Sequence, residues 1–244
     1  MKIPIDELSV ALAPVIAIDG PSASGKGTVA ERVAQVLGFH YLDSGAIYRA
    51  AALVMVRAGL TAEGDESALA ALAGAMPLRF PESRVWLGTG DVTASIRSEE
   101  CGANASRIAA LPLVRAALLQ RQRDFRSAPG LVADGRDMAS VVFPDATVKV
   151  FLTATAEERA FRRVAQLQGI PLKDAKGLIE NENNAKLHVL FDSVLADLQE
   201  RDRRDATRAT SPLTQVEGAK LLDTTSLAVE QAVEAVLGWF RATK

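Results

Sequence analysis

The segment Gly20-Pro21-Ser22-Ala23-Ser24-Gly25-Lys26-Gly27-Thr28 lies between an apolar run and an amphipathic one. Before it, Val15-Ile16-Ala17-Ile18 has the length and composition of a buried parallel strand. After it, apolar residues recur at helical spacing from Val29 until Gly38, a residue type that often ends helices. Glycines in such a strand-to-helix segment let backbone N–H groups turn toward phosphate oxygens, and the helix start adds a positive dipole end. We therefore predict a phosphate-binding loop.

The spacing Gly20-x-x-x-x-Gly25-Lys26 matches a P-loop, in which the lysine adds a mobile positive charge, with one departure. A Ser or Thr normally follows the lysine directly and holds magnesium, whereas here Gly27 takes that position and the hydroxyl comes one residue later, on Thr28. This order resembles that of nucleoside monophosphate kinases, and we assign no protein ligand to a metal. The alternative, a Gly/Ser loop that only reverses the chain, is disfavoured because the lysine and the glycines coincide between a strand and a helix.

The composition describes a globular chain without a broad charged surface. Its 244 residues suffice for one domain with smaller insertions, and 28 Lys+Arg against 30 Asp+Glu leave a net charge of -2. This balance predicts no nucleic-acid partner, and any site for a polyanion must be local. The single cysteine, Cys101, excludes an intramolecular disulfide and a cysteine zinc cluster. No apolar run approaches the roughly 20 residues of a membrane span, and residues 1–14 lack the features of a signal peptide, so we expect a cytoplasmic protein with no membrane partner.

Five runs have the character of strands and alternate with helical segments. They are Val15-Ile16-Ala17-Ile18, Phe39-His40-Tyr41-Leu42-Asp43, Gly130-Leu131-Val132-Ala133-Asp134, residues 148–152 and Lys220-Leu221-Leu222-Asp223. This alternation predicts an α/β fold of the P-loop NTPase type, with a mostly parallel five-stranded sheet flanked by helices. Ligands bind beyond the carboxyl ends of such strands, so the polar residues after the second and third runs should face one crevice with the P-loop.

Two segments interrupt the alternation. Residues 60–105 combine a short helix with brief apolar pieces around the turn Gly88-Thr89-Gly90, which predicts a small antiparallel β insertion. Residues 156–208 follow a capping-box start at Thr155 and end in a run of alternating charges. Such a run is usually a solvated face, and its alternating signs could also form ion pairs along a helix. Arginines in such a run also suit phosphoryl transfer beside a nucleotide. The predicted core comprises about 14–59, 106–155 and 209–244.

Four stretches carry a close resemblance to the bacterial cytidylate kinases, relatives of the adenylate kinases. They are Ile18-Asp19-Gly20-Pro21-Ser22 with Gly25-Lys26-Gly27-Thr28, Leu42-Asp43-Ser44-Gly45-Ala46-Ile47-Tyr48-Arg49, Ala133-Asp134-Gly135-Arg136-Asp137-Met138 and Val142-Phe143-Pro144-Asp145-Ala146. The resemblance extends nearly from end to end. It implies a monomer that transfers the γ-phosphoryl group of ATP to CMP or dCMP with Mg²⁺. It also implies that the insertion 60–105 binds the monophosphate and that 156–208 is a mobile helical lid.

The resemblance further implies roles for individual residues. The P-loop, 20–28, would bind ATP. Ser106, Arg115 and Asp137 would read the cytosine, Arg49 and Arg136 would hold the acceptor phosphate, and Asp205 and Arg208 would meet the sugar hydroxyls. Ser44 and Tyr48 complete the implied acceptor site. The residues implied to stabilise the transferring group are Lys26, Arg136, Arg159, Arg201 and Arg204, of which the last three lie in the lid with Arg162.

One stretch departs from the family pattern. Around residues 169–184 the chain is longer than expected, with Gly169-Ile170-Pro171 and residues 181–184 as helix breakers. Long loops cost little closure entropy, so we expect a surface extension without function.

Two other functions are compatible with the P-loop. The first is a kinase of another small acceptor, such as UMP, a shikimate-like compound or a sugar acid, which the loop alone does not exclude. The sequence Asp134-Gly135-Arg136-Asp137 and the β insertion favour cytidylate over these acceptors. The second is a nucleotide-dependent switch, which would require Ser or Thr directly after Lys26 and a guanine-reading motif, and we find neither.

Overall fold

The computed structural model describes residues 12–80, 84–181 and 184–243. Most of the segment considered as a signal peptide, and two of the helix breakers at 181–184, lie outside the described residues. Among the residues described, no helix combines the length and the hydropathy needed to cross a membrane.

Strands and helices alternate along the chain as expected. In chain order the elements are β1 (Val15–Asp19), α1 (Lys26–Leu37), β2 (His40–Asp43), α2 (Ser44–Arg57), α3 (Glu66–Ala75), β3 (Leu78–Arg79), β4 (Trp86–Leu87), β5 (Gly90–Asp91), α4 (Glu99–Ile108), α5 (Pro112–Arg123), β6 (Leu131–Gly135), β7 (Val148–Thr153), α6 (Ala156–Gln168), α7 (Leu172–Glu180), α8 (Ala185–Thr207), β8 (Lys220–Asp223) and α9 (Val229–Arg241). A single π-turn, Met138–Val142, follows β6.

The central sheet has, within the described ranges, five parallel strands in the order β2-β6-β1-β7-β8. This confirms the predicted α/β fold and its five strands. The strand order explains where the site lies, because β1 has β6 on one side and β7 on the other. A crevice opens beyond the carboxyl ends of parallel strands at such a reversal of strand order, and the P-loop leaves β1 at this point.

Helices cover both faces of the sheet, which is why its central strands read as continuous apolar runs. Alternate residues of β1 enter two different cores: Val15 joins the cluster beneath α2, α4 and α5, whereas Ile16 joins the cluster beneath α1 and α9. All five residues of β1 are buried. The strand that carries the P-loop is therefore fixed from both sides.

The predicted β insertion is present as an antiparallel sheet, β3-β4-β5, in the described part of this region. In the stretch that follows, the apolar residues Val114, Leu118 and Phe125 predict a helical segment from Ser106 to Arg126 that is interrupted at Pro112. It is instead two helices, because α4 begins earlier, at Glu99 after the capping residue Ser98, and α5 begins at Pro112. Proline is well tolerated in the first turn of a helix, so Pro112 starts a helix here and does not interrupt one.

The lid segment is helical and has an apolar core of its own. Residues of α6 and α8, including Val164, Val194 and Leu198, pack together with Ile179 of α7. The longer stretch around 169–184 thus holds a helix with two buried residues, Ala175 and Ile179. Our expectation of a mere surface extension was wrong in this respect, because apolar residues at helical spacing in that stretch pack against its neighbours.

Candidate active site

The P-loop wraps around the start of α1 with the geometry that a bound phosphate requires. Gly25 lies directly before the helix with φ 90°, and Gly20 lies against β7. A Cβ at Gly20 would lie 1.9 Å from the Leu152 carbonyl oxygen, so no other residue fits there. The backbone N–H groups at the start of α1 have no side-chain cap and are free to bind an anion.

Lys26 is nine-tenths buried at the base of this loop, and its Nζ donates to the Pro21 carbonyl oxygen at 3.2 Å. Burial, together with the charge of the nearby Arg136 guanidinium, lowers the pKa of Lys26 to about 7 against the opposing effect of Asp134 and Asp43. The ammonium is therefore poorly stabilised by the protein alone. A phosphate in the loop would supply the missing negative charge.

Two carboxylates at the ends of β2 and β6 face this lysine. Asp43 and Asp134 are partners in the strand register. Asp43 caps α2 by accepting from the Ala46 N–H and pairs with Arg49 at 2.9 Å. Asp134 is buried and accepts from the Tyr41 hydroxyl at 2.7 Å. Burial, followed by the charge of Asp43, raises the pKa of Asp134 to about 6, so this end of the sheet favours an added cation.

Arg136 connects the P-loop, the end of β6 and the lid. Its guanidinium donates to the Ser22 hydroxyl at 2.7 Å and to the Asp205 carboxylate of α8 at 2.8 Å. Burial alone would raise the pKa of Asp205, but the charges of Arg136 and Arg208 outweigh it and lower that pKa. The Arg136 guanidinium is thus held by contacts to the P-loop and to α8.

Arg115 of α5 and Asp137 after β6 both line the cleft and form a buried ion pair, each less than a tenth exposed. Ser106, which the resemblance groups with them, instead accepts from Arg204 of the lid at 2.8 Å. Tyr48 is buried, and its hydroxyl interacts with Gln122.

Two guanidinium nitrogens, Arg49 Nε and Arg208 Nη2, are buried without a hydrogen-bond partner among the described residues. Both residues line the cleft. Buried polar atoms are costly to leave unpaired, so these two nitrogens are well suited to bind oxygen atoms of a ligand.

The lid arginines differ in how they are paired. Arg159 is held by Asp202 at 2.6 Å and donates to the Ser22 carbonyl oxygen at 3.2 Å, and Arg162 donates to the Ser24 carbonyl oxygen at 3.1 Å. Arg201 forms no ion pair in the part of the chain that the structure describes and makes one long contact, 3.5 Å, to the Gly102 carbonyl oxygen. Burial and the charge of Arg136 lower the pKa of Arg201 to about 10. An ion pair with a bound phosphate would therefore stabilise the Arg201 guanidinium more than that of Arg159 or Arg162.

Most of the residues proposed from the sequence line one continuous cleft of about 2630 Å³. This volume exceeds the roughly 300–1,000 Å³ typical of a single-ligand pocket and suits two ligands. The proposed residues that line the cleft, among others, are Ser22 to Thr28, Ser44, Tyr48, Arg49, Ser106, Arg115, Arg136, Asp137, Arg201, Asp205 and Arg208. Four others, Gly20, Pro21, Arg159 and Arg204, do not line the cleft as it stands.

Sequence reasoning assigned no role to four residues that make contacts in this site: Tyr41, Asp43, Asp134 and Asp202. The two strand-end carboxylates had a sequence signal, since each directly ends an apolar run. Asp202 lies in the run of alternating charges, for which ion pairs along a helix were one alternative, and the pairs of Glu200 with Arg203 and Arg204 within α8 confirm it. The partner of Asp202 is instead Arg159 on α6, a different helix. Tyr41 had no signal, because its contact to Asp134 crosses between neighbouring strands.

Comparison with known proteins gives a consistent result over almost the whole chain. A family model described as cytidylate kinase matches residues 16–242. A cytidylate kinase of Chromobacterium violaceum is 57% identical over 227 residues, 93% of this chain and 95% of that protein. Cytidylate kinases of Paraburkholderia phymatum and Bordetella bronchiseptica are 54% and 53% identical, over 94% and 96% of this chain and 93% and 98% of those proteins.

Proposed function

The chain belongs to the cytidylate kinase family, and from this premise we propose that its cleft transfers the γ-phosphoryl group of ATP to CMP or dCMP. The products are ADP and the corresponding pyrimidine nucleoside diphosphate. The observation that carries the proposal is a single cleft that contains both a P-loop and the buried Arg115–Asp137 pair. One half can bind a polyphosphate, and the other half can recognise a polar base.

The donor half is the P-loop with its lysine. Backbone N–H groups of the loop and of the first turn of α1 would bind the ATP phosphates, and Lys26 would neutralise them. Arg162 supports the loop from the lid, because it donates both to Ser24 in the loop and to Thr224 after β8. This pair of contacts keeps the loop in place when no nucleotide is bound.

Mg²⁺, which the family uses with ATP, fits this end of the sheet. Mg²⁺ is usually bound by one or two carboxylates together with phosphates and water. Asp134 and Asp43 are the carboxylates here, and burial, followed by the charge of Asp43, raises the pKa of Asp134 to about 6, so a bound cation would stabilise its charged form. We propose that they hold the ion, directly or through water, with Thr28 beside the phosphates. The ion would neutralise the phosphate oxygens during transfer.

The acceptor half matches cytosine in its donors and acceptors. The base offers an amino donor next to the N3 and O2 acceptors, so Asp137 can accept from the amino group while Arg115 and Ser106 donate to the ring. Arg49 and Arg136 would hold the acceptor phosphate. Asp205 and Arg208 would bind the sugar hydroxyls, for which Arg208 Nη2 is an unpaired donor.

The reaction needs positioning and charge neutralisation, with no covalent intermediate on the protein. An oxygen of the acceptor phosphate attacks the γ-phosphorus in line, and ADP leaves. Lys26, Arg136 and Arg201, which line the cleft, would neutralise the developing charge, while Arg159 and Arg204 would have to leave their present partners to reach it.

We propose that the insertion 60–105 and the lid 156–208 close over the two nucleotides and exclude water. Amide hydrogen exchange should slow in both segments on forming the ternary complex with CMP and a non-hydrolysable ATP analogue. ATP analogue alone should slow exchange mainly in the lid, since Arg162 already links the lid to the P-loop. Exchange that is unchanged in both segments would contradict closure.

An acceptor screen tests the proposed function. The wild-type enzyme is incubated with ATP, Mg²⁺ and one acceptor at a time, and ADP formation is measured with CMP, dCMP, UMP, AMP, shikimate and gluconate. We expect CMP and dCMP to give the highest kcat/KM. A preference for AMP, or for either of the two acids, would reject the assignment and favour a kinase of another small acceptor.

A further inference from the structure

The P-loop lacks a side-chain hydroxyl directly after its lysine, and another hydroxyl occupies the adjoining space. A Cβ built at Gly27 would meet one neighbouring atom within 4 Å, the Tyr41 hydroxyl oxygen, at 3.5 Å. Tyr41 comes from β2, and its ring packs on the apolar cluster beneath α1. A hydroxyl therefore lies close to where a Ser or Thr side chain at position 27 would begin.

The same hydroxyl is bonded to the strand-end carboxylate. Tyr41 Oη donates to Asp134 Oδ1 at 2.7 Å. The backbone of Asp134 is fixed independently, since its carbonyl oxygen accepts from Ser44 and its strand pairs with β2. The carboxylate itself has, in the part of the chain that the structure describes, Tyr41 as its one hydrogen-bond donor. Loss of the hydroxyl would thus free the orientation of the carboxylate and leave the strand in place.

We propose that Tyr41 is a positioning residue for Asp134, and that its hydroxyl substitutes for the one absent at Gly27. In P-loops with Ser or Thr after the lysine, that hydroxyl contributes to the metal–phosphate site from the loop. Here the hydroxyl comes from the neighbouring strand and acts through Asp134. The inference rests on the proposed function, because it assigns Asp134 to the Mg²⁺–nucleotide complex.

Removal of an outer partner of a metal-binding carboxylate typically costs about 10- to 100-fold in metal affinity or activity. The test compares wild type with Tyr41→Phe, which removes one oxygen atom, by calorimetric titration of ADP with and without Mg²⁺. We expect Tyr41→Phe to weaken ADP binding about 10-fold in the presence of Mg²⁺ and to leave metal-free ADP binding and CMP binding nearly unchanged. No turnover is involved in these measurements.

Two double variants separate a specific role from a general loss of packing. Gly27→Ser combined with Tyr41→Phe returns a hydroxyl to the loop and should recover most of the lost Mg²⁺-dependent affinity. Gly27→Ala combined with Tyr41→Phe adds the same carbon atom without the oxygen and should not. The site has room for both, since a Cβ at Gly27 makes only ordinary contact with position 41 and the residue lies within helix α1.

Several outcomes would overturn the inference. One is that Tyr41→Phe loses the same ADP affinity with and without Mg²⁺. Another is that the double variant with Gly27→Ala recovers as much Mg²⁺-dependent ADP affinity as the double variant with Gly27→Ser. If the single variant Tyr41→Phe does not fold, the double variant with Gly27→Ser must fold and the double variant with Gly27→Ala must not. Any other result contradicts the positioning role of Tyr41. Wild-type ADP binding that does not respond to Mg²⁺ would instead contradict the metal's place in the proposed function.

Discussion

We expect Lys26→Ala to lower kcat/KM for CMP phosphorylation by at least about 10³-fold, on the order of 4 kcal/mol at the transition state, while the chain stays folded. The side chain is buried at the base of the P-loop, where a charge is worth far more than in water. Its only hydrogen-bond contact to the protein in the described residues is one to the Pro21 carbonyl oxygen, so little of the fold depends on it. Initial-rate assays of ADP formation, with circular dichroism to verify folding, measure the effect.

The matched control is Lys173→Ala, which removes an exposed lysine on α7 that does not line the cleft. It should leave kcat/KM within twofold of wild type, by the general tolerance of exposed positions. A Lys26→Ala enzyme with near-normal turnover would reject the P-loop assignment.

The ionisation of Lys26 allows a second test of its contact with the ATP phosphates, which is measured as proton uptake on ATP binding. Because the pKa of Lys26 is lowered to about 7, this side chain is neutral in most molecules of the free enzyme at pH 8. Bound ATP phosphates favour the charged form and raise that pKa, so ATP binding at pH 8 should take up a proton. Below about pH 6 the lysine is already charged and the uptake should vanish. Calorimetry in buffers of different ionisation enthalpy measures the uptake, which Lys26→Ala should lose.

We expect Asp137→Ala to lower kcat/KM for CMP far more than for UMP, so that the ratio of the two values falls by roughly 10- to 100-fold, and to change the KM for ATP little. Asp137 can accept from the amino group of cytosine, and uracil has a carbonyl oxygen at that position. The residue lies in the acceptor half of the cleft, where it forms a buried ion pair with Arg115 of α5. Steady-state kinetics with each acceptor measure the two values of kcat/KM.

The same substitution should also destabilise the fold. Arg115 and Asp137 are both buried, and breaking a buried ion pair by removing one partner typically costs about 3–5 kcal/mol. Asp137→Asn is the matched variant, because it keeps the shape and one acceptor oxygen but removes the charge. Urea unfolding separates loss of stability from loss of recognition. A CMP/UMP ratio that is unchanged in a folded Asp137→Ala enzyme would show that another residue reads the base.

The P-loop and the strands of the sheet were predictable because their signals are local. A continuous apolar run bounded by glycine and polar residues is typical of a buried strand, and β1 and β6 lie within such runs. The phosphate-binding function of residues 20–28 follows from the same stretch, since backbone N–H groups at a helix start bind anions whatever surrounds them. Helix boundaries were less predictable, as the early start of α4 shows, because Ser98 as a cap is a weak signal within a polar stretch.

The individual roles proposed for residues that bind the acceptor came only from the family resemblance. Nothing in the local sequence distinguishes Arg115 from Arg121 or Arg123 on the same helix, yet only Arg115 is buried and paired with Asp137. The helix α7 was misjudged for a related reason. Its apolar residues have meaning only when α6 and α8 are beside them.

The amino-acid sequence alone was sufficient for the α/β class, the P-loop and the edge of the sheet at which ligands bind. The pairing of each charged side chain depended on the folded arrangement. Strand order places Asp43 beside Asp134, and the packing of α8 against the core brings Asp205 to Arg136 and Asp202 to Arg159. Charges act over a few ångströms in space, and distance along the chain does not fix which of many arginines and carboxylates become neighbours.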